Sequence, residues 1–324
     1  MELNGARNFL NNHLRRISQL FFFAITAYAW IRLYLFVSHF DYGTPYVERP
    51  TSIEAFLPIG ALVSLKNLIQ NGFIDPIHPA ALVIFTSILL TAVLLKRGFC
   101  GWVCPIGFIS EVVTKTGERL TGKVMLGSRY LAVIKYLLLA FFLYLILPMD
   151  AASTAAFLFS PYWAIADVKL LDFWLKPGTL TILVTGLIVI ATLFVRNVWC
   201  RFLCPYGALL ALLSYLSPAS IKKSDCVGCL RCDETCPSGL KPSQVDEMKS
   251  PECIMCFECV KSCPYGYLTP AIAGKSVRKE LYALAIAGII FGFFVVAKLT
   301  GHWETALTYA DYRKLMPIRH LISH

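Results

Sequence analysis

The 324-residue sequence predicts an all-α polytopic membrane bundle of about five spans, with a small α+β module inserted before the last span. Three observations carry this reading. Hydrophobic residues make up 57% of the chain and the mean hydropathy is +0.62, far above a soluble domain. Apolar runs recur near residues 17–38, 79–96, 130–148, 179–196 and 280–298. Eight of the twelve cysteines crowd between Cys226 and Cys263, in a spacing that suits metal ligation rather than disulfides.

The first run, 17–38, is aromatic and follows Arg15 and Arg16; Arg32 near its far end reads either as a functional intramembrane charge or as a side chain snorkelling to the interface. The polar and basic stretch from Met1 to Arg16 precedes a run too long for a signal-peptide core, so the segment is expected to be retained. Residues 39–77 are mixed, and Thr51-Ser-Ile-Glu54 reads as a capping box opening an interfacial or re-entrant helix that stops near Gly72. Asp75-Pro-Ile-His78-Pro79 then turns the chain into the second span.

That span ends at Lys96-Arg97, and a basic stretch with Lys115, Arg119, Lys123 and Arg129 leads to the third. An aromatic loop, 149–178, has the composition of an interfacial belt and leads to the fourth span. The fifth contains Gly288-x-x-x-Gly292, a pattern that lets helices pack closely.

The net charge is +10, yet nucleic acid is not the expected partner; the charge sorts by topology. Segments 1–16, 96–129 and 196–279 hold twenty of the thirty Lys and Arg, which predicts them on the cytoplasmic side of a bacterial inner membrane. The domain reading is a membrane domain over 1–218, a cluster module over 219–272, and a last span with tail over 273–324.

The cysteine stretch reads C-x2-C-x2-C-x3-C-P twice: Cys226, Cys229, Cys232, Cys236-Pro237, then Cys253, Cys256, Cys259, Cys263-Pro264. Three close thiolates hold one cubane and the fourth reaches the other. One [4Fe-4S] cluster is therefore expected on Cys226, Cys229, Cys232 and Cys263. A second is expected on Cys253, Cys256, Cys259 and Cys236. Zinc favours two C-x2-C pairs instead. The module is a bacterial-type 2[4Fe-4S] ferredoxin. Lys222, Lys223, Arg231 and Lys261 flank it, as solvated surface charge or as a dock for an acidic partner.

An internal repeat precedes the module. Cys100-Gly-Trp-Val-Cys104-Pro-Ile-Gly matches Cys200-Arg-Phe-Leu-Cys204-Pro-Tyr-Gly, and each ends a span and opens a helix. Proline after Cys104 and Cys204 puts each cysteine at an N-cap. Cys100, Cys104, Cys200 and Cys204 are expected to meet as a third cluster or other metal site; redox thiols and plain packing are the alternatives.

These motifs resemble the NapH/NosR-type polyferredoxin membrane proteins, over roughly residues 78–279 and on all twelve cysteines. The resemblance implies electron transfer at the inner membrane between quinone and a periplasmic reductase system, as in a quinol dehydrogenase complex. The family also includes copper-reducing assembly factors. The chain has no room for the flavin-binding domain of the larger members, and neither segment 39–77 nor the tail beyond 299 has a counterpart in the short pattern.

The expected function is a membrane-bound electron-transfer subunit. It relays electrons between quinol, or a cytoplasmic donor, and partner redox subunits. The alternative is a copper reductase or assembly factor acting through the C-x3-C-P cysteines. A quinone site needs apolar walls and a proton-accepting group near the membrane surface; the candidates are Glu54, Asp75 and His78, with His78 alternatively capping the helix after it. No pair of histidines shares mid-membrane depth on two spans, which argues against haem. No phosphate-binding loop is present, so nucleotide binding is not expected.

Overall fold

The computed structural model describes residues 2–322 except 123, 126 and 128; Lys123 of the basic stretch therefore lies outside the described residues. The helices are α1 (Glu2–Tyr42), α2 (Pro58–Asn71), α3 (Pro79–Leu95), α4 (Gly98–Trp102), α5 (Pro105–Thr121), α6 (Val133–Ile146), α7 (Ala151–Leu158), α8 (Pro161–Ala164), α9 (Ala166–Leu175), α10 (Thr179–Phe194), α11 (Pro205–Leu213), α12 (Arg231–Glu234), α13 (Glu258–Ser262), α14 (Lys279–Leu299) and α15 (Tyr309–Ile318). A four-stranded antiparallel sheet, order β2-β1-β3-β4, is built from β1 (Ala219–Lys223), β2 (Glu247–Met248), β3 (Leu268–Ile272) and β4 (Lys275–Ser276). The pairing of β1 with β3 runs from Ala219 opposite Ile272 to Lys223 opposite Leu268. The sheet belongs to a small α+β module, and its last strand, Lys275–Ser276, runs past the end expected at residue 272.

A helix stands at each of the five expected spans. By length and composition, His13–Tyr42 and Lys279–Leu299 can cross a membrane. Two further candidates are bent pairs, α6 with α7 at 102° and α9 with α10 at 77°. The bends follow from sequence. Pro148 cannot continue α6, and Lys176-Pro177-Gly178 separates α9 from α10. Helix α2, opened by Pro58 and closed by left-handed Gly72, is about 21 Å long, too short to span.

The chain divides into two compact units. The first comprises Met1–Phe23, Ile88–Ala140 and Val184–Ile289, and holds all twelve cysteines. Its centre is aromatic: Trp102, Phe257 and Tyr282 meet with ring centroids 5.0–5.8 Å apart. The second comprises Ala24–Ser87, Phe141–Leu183 and Ile290–His324. Its core joins Leu33, Phe36, Ile53, Ile165, Tyr312 and Met316. Lys66 closes the end of α6 by donating from Nζ to the carbonyls of Ile146, Leu147 and Met149 at 2.8, 2.7 and 2.5 Å.

Two local expectations fail. Thr51 and Glu54 form no capping box: Pro50 is the N-cap, and no side chain caps that turn. Glu54 instead accepts from the Ala81 amide of α3 at 2.9 Å, while Thr51 donates to Glu304 at 2.8 Å. The capping box is at Thr308 and Asp311, opening α15. At Gly288 and Gly292 a Cβ would meet nothing within 4 Å, so the small-residue pair packs against no described helix.

Candidate functional site

Two cavities sort the eight module cysteines. About 370 Å³ of open space is lined by Cys226, Cys229, Cys232 and Cys263. A second, about 330 Å³, is lined by Cys236, Cys253, Cys256 and Cys259. Each takes three cysteines from one motif and the fourth from the other, the crossed grouping expected from the spacing. Cys226 and Cys229 are exposed, whereas Cys236, Cys253 and Cys259 are buried. The first cavity is the outer one and the second the inner.

The two loops share an unusual backbone. Gly228 and Leu230 flank Cys229 with φ of 72° and 58°; Met255 and Phe257 flank Cys256 with φ of 46° and 60°. Left-handed residues on both sides of the central cysteine coil the loop tightly and turn its amides inward, a concavity suited to anionic sulfur. Three of those four positions carry side chains that disfavour the conformation, at about 1–3 kcal/mol each, which marks a functional loop.

The repeat builds a third group of thiols. Cys104 and Cys204 are the N-caps of α5 and α11, each followed by proline. In both copies the second cysteine's amide reaches five residues back, Cys104 to Phe99 at 3.0 Å and Cys204 to Trp199 at 2.9 Å. A left-handed residue, Lys96 or Asn197, ends each preceding helix. Cys204 Sγ accepts from the Gly207 amide at 3.2 Å. Burial pushes the Cys104 thiol up to about 12, and neighbouring Cys100 and Cys204 add to it. Burial, then Cys104, Cys204 and Cys100, raise Cys200 well above the ordinary thiol value. Cys104 and Cys200 thus each feel the charge of a cysteine from the other repeat.

Both repeats hold the inner cavity. The Trp102 indole donates to the Met255 carbonyl at 2.9 Å, and a Cβ at Gly101 would stand 2.4 Å from the Ile254 carbonyl. Lys96 donates to the Lys249 carbonyl at 3.0 Å. From the other repeat, Asn197 Nδ2 donates to the Pro237 carbonyl at 3.2 Å, and Arg196 to the Glu234 carbonyl. The first repeat thus grips the Cys253–Cys256 loop and the second grips the Cys236 loop.

The donor set fits iron–sulfur clusters. Four thiols ring a space in each cavity, and among the described residues no three His, Cys, Asp or Glu converge as for a single ion. Burial raises Cys253 to about 11, and burial with the Asp233 carboxylate raises Cys232 to about 11. Such thiols stay protonated until a cationic core takes them as thiolates. Near the four-thiol group, Arg97 and Lys135 are 3% and 0% exposed and share a single carboxylate, Glu252, at 2.5 Å each. That surplus of buried positive charge suits an anionic cluster. Buried Arg97 Nε has no protein partner.

Glu54, Asp75 and His78 lie in the second unit, and all three are buried. Glu54 Oε1 is 3.0 Å from His78 Nδ1 and 2.9 Å from Arg49 Nη2, while Arg49 Nε donates to Asp167 at 2.6 Å. His78 Nε2 is 2.7 Å from the Trp163 carbonyl, and Trp163 Nε1 donates to Asp75 at 2.8 Å. The three candidates therefore belong to one network, in which Glu54 rather than the His78 side chain caps α3. Sequence reasoning missed Arg49 and Asp167, which stand in segments of mixed charge and carry no local pattern that singles them out. Arg15 was also missed. It donates to Glu111 at 2.6 Å, to Glu258 at 2.7 Å and to the Gly101 carbonyl at 2.9 Å.

Comparison with known proteins finds iron–sulfur families over both repeats and the module. Residues 77–123 and 177–224 match the family described as "4Fe-4S binding domain", and 219–264 match "4Fe-4S dicluster domain". The chain is 35% identical over 317 residues to the putative electron transport protein YccM of Escherichia coli, covering 94% of this chain and 88% of that protein. It is 28% identical over 198 residues to NirI of Paracoccus denitrificans, covering 56% of this chain and 27% of that protein. It is 28% identical over 161 residues to the ferredoxin-type protein NapH of Haemophilus influenzae, covering 46% and 50%. No solved structure matches.

Proposed function

The chain belongs to the NapH/NosR-type polyferredoxin family, whose members are iron–sulfur electron-transport proteins, and from that premise we propose that it relays electrons through three [4Fe-4S] clusters at the bacterial inner membrane. The ligand sets are Cys226, Cys229, Cys232 and Cys263 for the outer cluster. Cys236, Cys253, Cys256 and Cys259 serve the inner cluster. Cys100, Cys104, Cys200 and Cys204 serve the third. Each bound cluster supplies one-electron storage. The protein's own work is to hold and space the three sites, neutralise their charge and exclude water.

The observation that carries this reading is the contact between the repeats and the inner cavity: Trp102 on Met255, Gly101 on Ile254, Asn197 on Pro237. Those contacts support a linear relay in which the four thiols stand next to the inner site. The positive-inside bias supports a cytoplasmic ferredoxin module carried by a five-span membrane domain. The partners are then a quinone, membrane lipid and further redox subunits, in a quinol dehydrogenase-like complex. Glu54, Asp75 and His78, with Arg49 and Asp167, are the groups we assign to proton handling for that quinone. Their burial suits a relay behind the quinone better than a wall against its ring.

The test is iron and acid-labile sulfide per purified chain, with EPR on the reduced sample. The relay predicts about twelve irons, falling towards eight in Cys104→Ser. About eight in both would remove the third cluster and leave the C-x3-C-P cysteines to thiol or copper chemistry.

A further inference from the structure

We propose that Arg97 sets the reduction potential of the four-thiol centre and links its charge to that of the inner centre, with Lys135 as a second cation and Glu252 as the counterweight. The inference rests on the reading that the four thiols hold a cluster, and goes beyond it by naming what tunes that cluster.

Arg97 stands three residues before Cys100, and the charges of Cys100 and Cys204 both act on its guanidinium. A Cβ added at Gly207, in the first turn of the helix carrying Cys204, would stand 2.8 Å from Arg97 Nη2. On its other side Nη1 meets Glu252 Oε2 at 2.5 Å, and Glu252 directly precedes Cys253 of the inner cavity. Lys135 meets the same carboxylate oxygen at 2.5 Å, and the Tyr136 hydroxyl donates to the other at 2.5 Å. Among the described residues Glu252 is the only carboxylate paired with either cation.

Reduction adds one electron to a cluster whose four thiolates already make it anionic. A buried cation beside the sulfur stabilises that added charge and raises the potential, and a buried carboxylate does the reverse. Water screens the pair little at this burial. Arg97 abuts the Gly207 turn, whose amide donates to Cys204 Sγ, and reaches the other ligand set through Glu252, so the charge on each centre is felt at the other. The outer cavity has no such contact with Arg97.

The test is an EPR-monitored titration of the full-length protein in detergent, with dithionite as reductant and soluble mediators. The four-thiol signal is identified as the one lost in Cys104→Ser. Arg97→Gln is expected to shift that midpoint downwards and Glu252→Gln to shift it upwards, while Arg97→Lys stays near the parent. The outer centre should hold its midpoint in all three. A merely structural role would not give opposite signs. Shifts of the same sign, no shift in Glu252→Gln, or Arg97→Lys behaving as Arg97→Gln would overturn the proposal. Should Arg97→Gln lose iron, the near-isosteric Glu252→Gln carries the test. An iron count near eight in the parent chain would instead fail the three-cluster reading, and the bridge with it.

Discussion

The Trp102 indole donates a 2.9 Å hydrogen bond to the main-chain oxygen of Met255, joining the first cysteine repeat to the loop that presents Cys253 and Cys256. Trp102 is 1% exposed and packs on Phe257 and Tyr282. Trp102→Phe should keep the packing and lose the bond, at about 1 kcal/mol. Trp102→Ala should cost about 3–5 kcal/mol. Thermal unfolding in detergent, read beside iron retention, checks the order; equal losses in the two variants would contradict it.

The crossed lining of the two cavities makes a prediction that a simple sequential reading does not. Cys263→Ser should abolish the EPR signal of the exposed outer cluster, although Cys263 belongs to the second motif. Cys236→Ser should remove the inner one. Each should cost about four irons per chain. The assignment fails if Cys263→Ser behaves like Cys253→Ser.

In the second unit, Arg49 pairs with both Glu54 and Asp167, whose side chains are both 0% exposed. Arg49→Gln would leave buried carboxylates uncompensated and should destabilise by about 3–5 kcal/mol. Arg49→Lys keeps the charge, loses the two-armed geometry and should cost less. Chemical denaturation of the detergent-solubilised protein measures both. A change within about 0.5 kcal/mol for Arg49→Gln would show that the network is not needed for stability.

Acid should weaken the first unit through Glu111. Burial alone would raise this carboxyl, but Arg15, followed by Arg16 and Lys115, outweighs burial and holds it below the ordinary value. A carboxyl lowered on folding stabilises the native state above its unfolded value, about 4.3, and that contribution is lost as pH falls through the lower folded value. The unfolding temperature should therefore hold from pH 7 to about 5 and drop below about 4.3. Glu111→Gln should start lower and show a flatter acid limb.

What was legible in the sequence was whatever local spacing fixes. The cluster triplets, the fourth cysteine of each motif, the paired C-x3-C-P turns and their N-cap cysteines all depend on residues within about a dozen positions of one another. The grips between segments were not legible, because Lys96 and Lys249, or Asn197 and Pro237, are far apart in sequence and share no pattern. Thr51-Ser-Ile-Glu54 misled for a related reason. Its glutamate satisfies the local rule, yet Arg49 on the N-terminal side of the turn and the amide of distant Ala81 hold it elsewhere. Glu54, Asp75 and His78 were picked one by one as polar groups in apolar surroundings, and that criterion found three members of the network without the cation that holds it together.

The divided grip on the inner cavity also bears on biogenesis. Cys236 is presented by a loop that Arg196 and Asn197 fasten, and Cys253 and Cys256 by a loop that Lys96, Gly101 and Trp102 fasten. The ribosome delivers these anchors before the loops they secure. Maturation machinery meeting the half-made chain finds no finished inner pocket until both repeats are in place and the module has closed over them. Both pockets draw all four ligands from the module, but the described grips from the repeats fall on the loops of the inner one, so the outer pocket can be loaded without that wait. Loading of the inner pocket is thus a checkpoint on the whole first unit, and a chain with a misplaced repeat would be recognisable by the metal it fails to retain.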